Sequence, residues 1–193
     1  MKILADYNNA TVKDKALKLT RGSFTVEEKI KKLFYYVRDG INFTFPKEGD
    51  FVPASKTIIY GYGQCNTKTT LFLALCKSIG IPAKIHFSLI SKYIQRGFFT
   101  GLAFWLMPRN LSHSWLEVKI NDKWVKIDSY INDIKLYEAG KKKLKENGWN
   151  IGFSIACSKS SSSADFNIEN EKFVQMDAVV GDHGLYDEPM DYY

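Results

Sequence analysis

The sequence predicts an α+β fold in which a cysteine-bearing helix packs on an antiparallel β-sheet. Three observations carry this. Helical spacing of apolar residues recurs in two segments of the first eighty positions, two strictly alternating runs flank Asn121-Asp122, and the order is helices first, then mainly antiparallel strands. With 193 residues, 45% hydrophobic and 25% charged, the chain can close one core without disulfide or metal staples. The reading is one domain over 1–193, with a core at about 26–130 and a C-terminal elaboration at 131–193.

A first helix is expected over 10–20, stopping at Gly22. Thr25-Val26-Glu27-Glu28 opens a second, because Thr and Glu three residues apart satisfy two orphan amide donors. Ile30, Leu33, Phe34 and Val37 form its apolar face and Gly40 ends it. Residues 41–45 read as extended, followed by a Pro- and Gly-rich loop through Pro53. Gly61 and Gly63 then allow a tight backbone approach before a helix that begins near Cys65. Leu71, Phe72, Leu75 and Ile79 give it a broad apolar stripe, and Gly80 and Pro82 stop it.

A strand is expected over 83–90, then an aromatic and apolar loop or hairpin over 92–110. The runs 113–120 and 123–130 form a hairpin around Asn121-Asp122. Residues 134–146 read as a lysine-rich helix closed by Gly148, 158–164 as a serine-rich surface loop, and 152–156 and 172–180 as strands before an acidic, aromatic end.

The formal net charge of +6 is carried partly by Lys141-Lys142-Lys143-Leu144-Lys145, which reads as a solvated helix face. No nucleic-acid motif accompanies it, and no apolar run approaches the roughly 20 residues that cross a bilayer. Neither nucleic acid nor membrane is an expected partner. The three cysteines cannot all pair and show no CxxC spacing, so a reducing cytoplasm is expected, with neither metal nor cofactor.

Cys65 follows a glycine-flanked turn and opens a helix, where unsatisfied amides favour thiolate over thiol and can hold an oxyanion. Cys76, eleven residues on, and Cys157 read as core. A thiolate nucleophile needs a base and an acceptor that orients it. A two-residue turn at Asn121-Asp122 pairs Val118 with Val125 and Leu116 with Ile127 on an apolar side. His113, Trp115, Glu117, Lys126, Asp128 and Tyr130 then share the other side, and His113 and Asp128 become diagonal neighbours about 7–8 Å apart at the backbone. His86 reads as a packing or edge residue, and His183, in Gly181-Asp182-His183-Gly184, as a turn residue.

Gly63-Gln64-Cys65, the run from Leu71 through Gly80-Ile81-Pro82-Ala83-Lys84, His113-Ser114-Trp115-Leu116-Glu117-Val118, and Trp124-Val125-Lys126-Ile127-Asp128 resemble, in this order, the nucleophile, helix–strand, histidine and aspartate motifs of the transglutaminase-like superfamily, thiol enzymes related in fold to papain. The resemblance covers about 26–130 and implies a papain-like, transglutaminase-like core. By it Cys65 is the nucleophile, His113 the acid/base and Asp128 the orienting acid. The implied chemistry is attack on a carboxamide or peptide carbonyl to give a thioester, which water hydrolyses or an amine transamidates. A peptide, protein or small amide is the implied substrate.

Two departures stand out. Animal transglutaminases place Trp after the nucleophile, where this chain has Asn66, and all four tryptophans here follow Cys65, so no upstream Trp is present as oxyanion donor. Tyr60, Tyr62 and Gln64 are the substitutes considered, with Trp115 a further candidate at the substrate. Since the family also includes inactive binding domains, the alternative is a protein-binding module using Phe98, Phe99, Phe104, Trp105, Tyr186, Tyr192 and Tyr193, most of which read as core.

Overall fold

Capping chemistry sets the first two helices where the sequence expects them. In the computed structural model, which describes residues 3–156, 163–169 and 174–193, the Asn9 side chain accepts from Thr11 N–H at the start of α1 (Ala10–Thr20). The full Thr25/Glu28 capping box opens α2 (Val26–Asp39), whose face of Ile30, Leu33, Phe34 and Val37 is buried. β1 (Asn42–Phe43) pairs in parallel with β2 (Tyr62–Gly63). Between them lies α3 (Ala54–Tyr60), which the sequence reading lacks: seven residues are too few to show a period.

Helix α4 (Cys65–Ser78) is buried from Asn66 to Cys76 and divides into two halves. Leu71, Phe72, Leu73 and Leu75 join the main core with Phe34, Ile85, Leu116 and Ile127, each such burial contributing about 1.5–3 kcal/mol. The earlier half is polar and fully engaged. Thr69 Oγ1 donates to Cys65 O at 2.9 Å, and Lys68 Nζ donates to the carbonyls of Ile41 and Ile131 at 2.7 Å and of Arg38 at 3.2 Å. Burial pulls Lys68 down to about 7. The apolar half anchors the helix; the polar half fixes the direction in which its first residue points.

β3 (Ala83–Ser91) leads through a 3₁₀ turn at Lys92–Gln95 to the short α5 (Gly101–Leu106), where the sequence reading offered only a loop or hairpin. β4 (Asn110–Ile120) and β5 (Lys123–Ile127) follow, with Asn121 and Asp122 at positive φ between them. Their register is the expected one, Val118 opposite Val125 and Leu116 opposite Ile127. β5 ends early, however. Ser129, at φ 68°, turns the chain, so Tyr130 leaves the face that strict alternation assigns it and packs edge-on against Phe72 in the main core, 5.1 Å between ring centroids.

In α6 (Ile134–Asn147) Leu144 is buried while Lys141, Lys142, Lys143 and Lys145 are exposed, the solvated face expected. The strand expected over 152–156 is instead a small hairpin, β6 (Ile151–Gly152) and β7 (Ile155–Ala156), because Phe153 and Ser154 take positive φ and reverse the chain. The strand expected over 172–180 lies further on, as β8 (Val179–Tyr186) after a 3₁₀ turn at Met176–Ala178; residues 172–173 lie outside the described residues. Cys157 and most of the serine run lie outside them too.

The main sheet is antiparallel, in the order β5-β4-β3-β8, with α4 against it. His183 is not in a turn but inside β8. It is the extra residue of a bulge, since Phe87 pairs with Gly184 and Ser88 with Asp182. No helix among the described residues is long and apolar enough to cross a membrane.

Candidate active site

Cys65 is the first residue of α4, preceded by Gln64, whose N–H donates to Thr67 Oγ1 at 2.9 Å. The backbone N–H groups of Asn66 and Cys65, at the open start of α4, favour the anionic form of the sulfur. The thiol itself donates to Ser112 O on β4 at 3.7 Å. Burial pushes the thiol above its ordinary value, Asp50 and Asp128 push the same way, and the two N–H groups oppose them. Burial thus works against the thiolate that the helix end was expected to favour.

His113, on β4 and only 1% exposed, has Nε2 3.0 Å from Asp128 Oδ2. Asp128 Oδ1 accepts the Ser129 N–H at 2.8 Å, which fixes the carboxylate plane. With Nε2 donating to the carboxylate, Nδ1 is the basic nitrogen, and it is buried without a protein partner. Cys65 and His113 both line one cavity of about 330 Å³. The cysteine, histidine and aspartate that the sequence singles out thus converge: two share a cavity and two share a hydrogen bond.

Of the other candidates, Gln64 lines the cavity and its Nε2 donates to Asp50 Oδ1. Tyr60 and Tyr62 are not brought to it. Their rings stack on each other at 5.5 Å, and Tyr60 donates to Glu48 at 2.7 Å. Trp115 does not line the cavity either, although its ring lies 6.3 Å from that of His113. It stacks on His86 at 4.2 Å and donates to Glu117 Oε1 at 3.3 Å. The reason is register: Trp115 pairs with His86 across β3 and β4, and that pair turns toward Glu117. His86, expected in a packing position, is buried and holds Glu117 through Nδ1 at 2.8 Å and Asp182 through Nε2 at 2.7 Å.

The structure adds residues that the sequence reading missed. Asn66 Nδ2 donates to Asp50 Oδ2 and to Ser112 Oγ, each at 3.0 Å, and Ser114 Oγ donates to Asn66 Oδ1 at 2.9 Å. Asp50 also takes a hydrogen bond from Tyr193, whose hydroxyl is held above its ordinary value by burial first and by Asp50 second. This frame clamps the two neighbours of Cys65 to the loop before α3 and to β4. Asn66 was visible only as a departure from a motif, and Asp50 lies in a loop with no pattern to read. No group of three or more His, Cys, Asp or Glu side chains suited to a metal is found among the described residues.

The family model of the transglutaminase-like superfamily matches residues 13–129. A search of the curated proteins finds no match. Among solved structures, the chain is similar to a "Putative Cysteine Protease" from Cytophaga hutchinsonii, with a TM-score of 0.58 at 13% identity over 97% of this chain and 45% of that one. A "Putative Protease" from Parabacteroides distasonis aligns with a TM-score of 0.45 at 14% identity, over 65% of this chain and 25% of that one. The chain spans less than half the length of either structure. The first likeness shows a shared fold.

Proposed function

The chain belongs to the transglutaminase-like superfamily, and from that premise we propose that it is a cysteine-dependent amide or peptide-bond hydrolase or acyltransferase acting through Cys65, His113 and Asp128. One observation carries the reading: His113 is held on Asp128 through Nε2 with its Nδ1 buried and without a protein partner, and His113 and Cys65 line one cavity.

Because burial pushes the thiol above its ordinary value, the first step is a coupled one. His113 Nδ1 accepts the thiol proton as sulfur bonds to the substrate carbonyl carbon. The unsatisfied backbone N–H groups at the start of α4 stabilise the charge that develops on the carbonyl oxygen. The C–N bond then breaks, and His113 returns its proton to the leaving amine. A thioester remains. Water or an amine attacks it, giving an acid or a new amide and restoring the thiol. Asp128 keeps the imidazole in the tautomer whose Nδ1 is basic.

The alternative, a catalytically inactive binding module, draws on the exposed face of α5, where Leu102, Trp105 and Leu106 are 69%, 73% and 66% exposed. Mass spectrometry separates the two readings. A peptide and amide library incubated with the wild-type protein is expected to lose amide bonds, or exchange them when an amine is added, and to remain intact with Cys65→Ala. Identical product profiles for the two proteins would overturn the catalytic reading.

A further inference from the structure

Among the described residues, five buried side-chain nitrogen or oxygen atoms have no protein hydrogen-bond partner, and three of them (His113 Nδ1, Gln95 Oε1 and Gln175 Oε1) belong to residues lining the cavity of Cys65. The proposed chemistry uses the first. The other two are amide oxygens on side chains that are 7% and 1% exposed. Gln175 is not free to turn its amide round, since its Nε2 donates to Ser154 O at 2.8 Å, and Ser154 also lines the cavity.

Much of the remaining wall is apolar and aromatic, with Phe43, Phe45, Phe99, Met107 and Leu111. Phe45 lies 5.4 Å from Phe43 and 5.7 Å from Phe99, ring centre to ring centre. In a protein of net charge +6, no lysine or arginine lines the cavity among the described residues, and Asp50 is the one carboxylate among them that does.

Acceptors, flat apolar walls and a negative charge specify a ligand. The two amide oxygens are already shut off from water, and a head rich in N–H groups gives them the partners they lack. A planar cation suits the phenylalanine rings and the Asp50 field better than a compact one, since a guanidinium stacks on aromatic faces and presents several donors at fixed angles. We propose that Gln95 and Gln175 form a specificity subsite for a guanidinium-bearing, arginine-type residue of the substrate.

The inference rests on the catalytic reading of Cys65, so binding is tested apart from turnover. Acetylated amides of arginine, citrulline and norleucine are titrated into the Cys65→Ala protein, and peptides carrying the same three residues are offered to the wild type. Arginine is expected to bind at least about tenfold more tightly than norleucine, with citrulline, which keeps some of the N–H donors without the charge, between them. Gln95→Leu should pull the arginine-to-norleucine ratio toward one, and Gln175→Leu likewise. Gln95→Glu should raise the ratio, which keeps the test usable even if a leucine variant fails to fold.

Norleucine binding as well as arginine, or a ratio that neither Gln95 variant moves, would overturn the subsite. Arginine-selective binding without any wild-type turnover upholds the subsite and removes the catalytic reading. Turnover with no arginine preference does the reverse.

Discussion

Two buried histidines sit on neighbouring strands of one sheet and are wired differently. His86 on β3 has a carboxylate on each ring nitrogen, Glu117 at 2.8 Å and Asp182 at 2.7 Å, and Trp115 covers its ring face. His113 on β4 has a carboxylate on one nitrogen and nothing on the other. Their exposures, 8% and 1%, do not distinguish them. The open nitrogen does. A saturated imidazole has no lone pair for a substrate proton and serves to tie β3 to β4 and β8, whereas a half-saturated one that shares a cavity with a thiol can act on it. Burial beside a carboxylate therefore does not by itself mark a histidine for chemistry.

The sharpest way to break this contrast is to remove each ring in turn. His113→Ala should lower turnover by about a thousandfold, the range of a lost general base. His86→Leu should leave turnover within a few-fold of wild type and instead cost about 3 kcal/mol of stability, because it removes the 2.8 Å partner of the Glu117 carboxylate, itself 6% exposed. Urea unfolding and steady-state assays on both variants decide it. Equal loss of turnover in the two would erase the distinction.

A smaller effect is expected from the carboxylate behind the open nitrogen. Asp128→Asn keeps the shape of the pair, but an amide can donate to Nε2 and so drive the ring proton to Nδ1, where it blocks acceptance from the thiol. Turnover should fall by about a hundredfold with the unfolding midpoint little changed. The loss should be in kcat more than in KM, because the cavity that binds substrate is intact. A variant as active as wild type would mean that Asp128 only packs.

How far the sequence anticipates this contrast depends on the range of each signal. The His113–Asp128 pair was legible because both residues sit on one hairpin whose two-residue turn and alternating apolar side leave a single register. The saturation of His86 was not legible, since Asp182 reaches it from a strand almost a hundred residues away, inside a tail that reads as irregular. Asp50 and α3 were hidden for a related reason: the first lies in a loop without period, and the second is too short to have one. Tyr130 misled because alternation holds only while the strand lasts, and β5 ends at Ile127. The helix-end argument for Cys65 pointed to a thiolate, whereas burial pushes the thiol above its ordinary value, because position along a helix says nothing about how far its first residue is desolvated.

The smallest expected effect concerns the outer partner of His86. The Asp182 carboxyl is held below its ordinary value chiefly by the His86 hydrogen bond, then by the Gly184 N–H. A carboxyl lowered by folding stabilises the fold above its unfolded pKa of about 3.9, and loses that contribution as pH falls through the lowered value. With the side chain 70% exposed, solvent screens the pair, and the contribution should be no more than about 0.2–1 kcal/mol. Asp182→Asn should therefore be less stable than wild type by that margin at pH 7, and the gap should shrink steadily in acid. Urea titrations at neutral pH and near pH 3 read the difference directly. A gap that widens on acidification would mean that the β8 contact is held by something other than this ion pair, and the clamp assigned to His86 would reduce to its bond with Glu117.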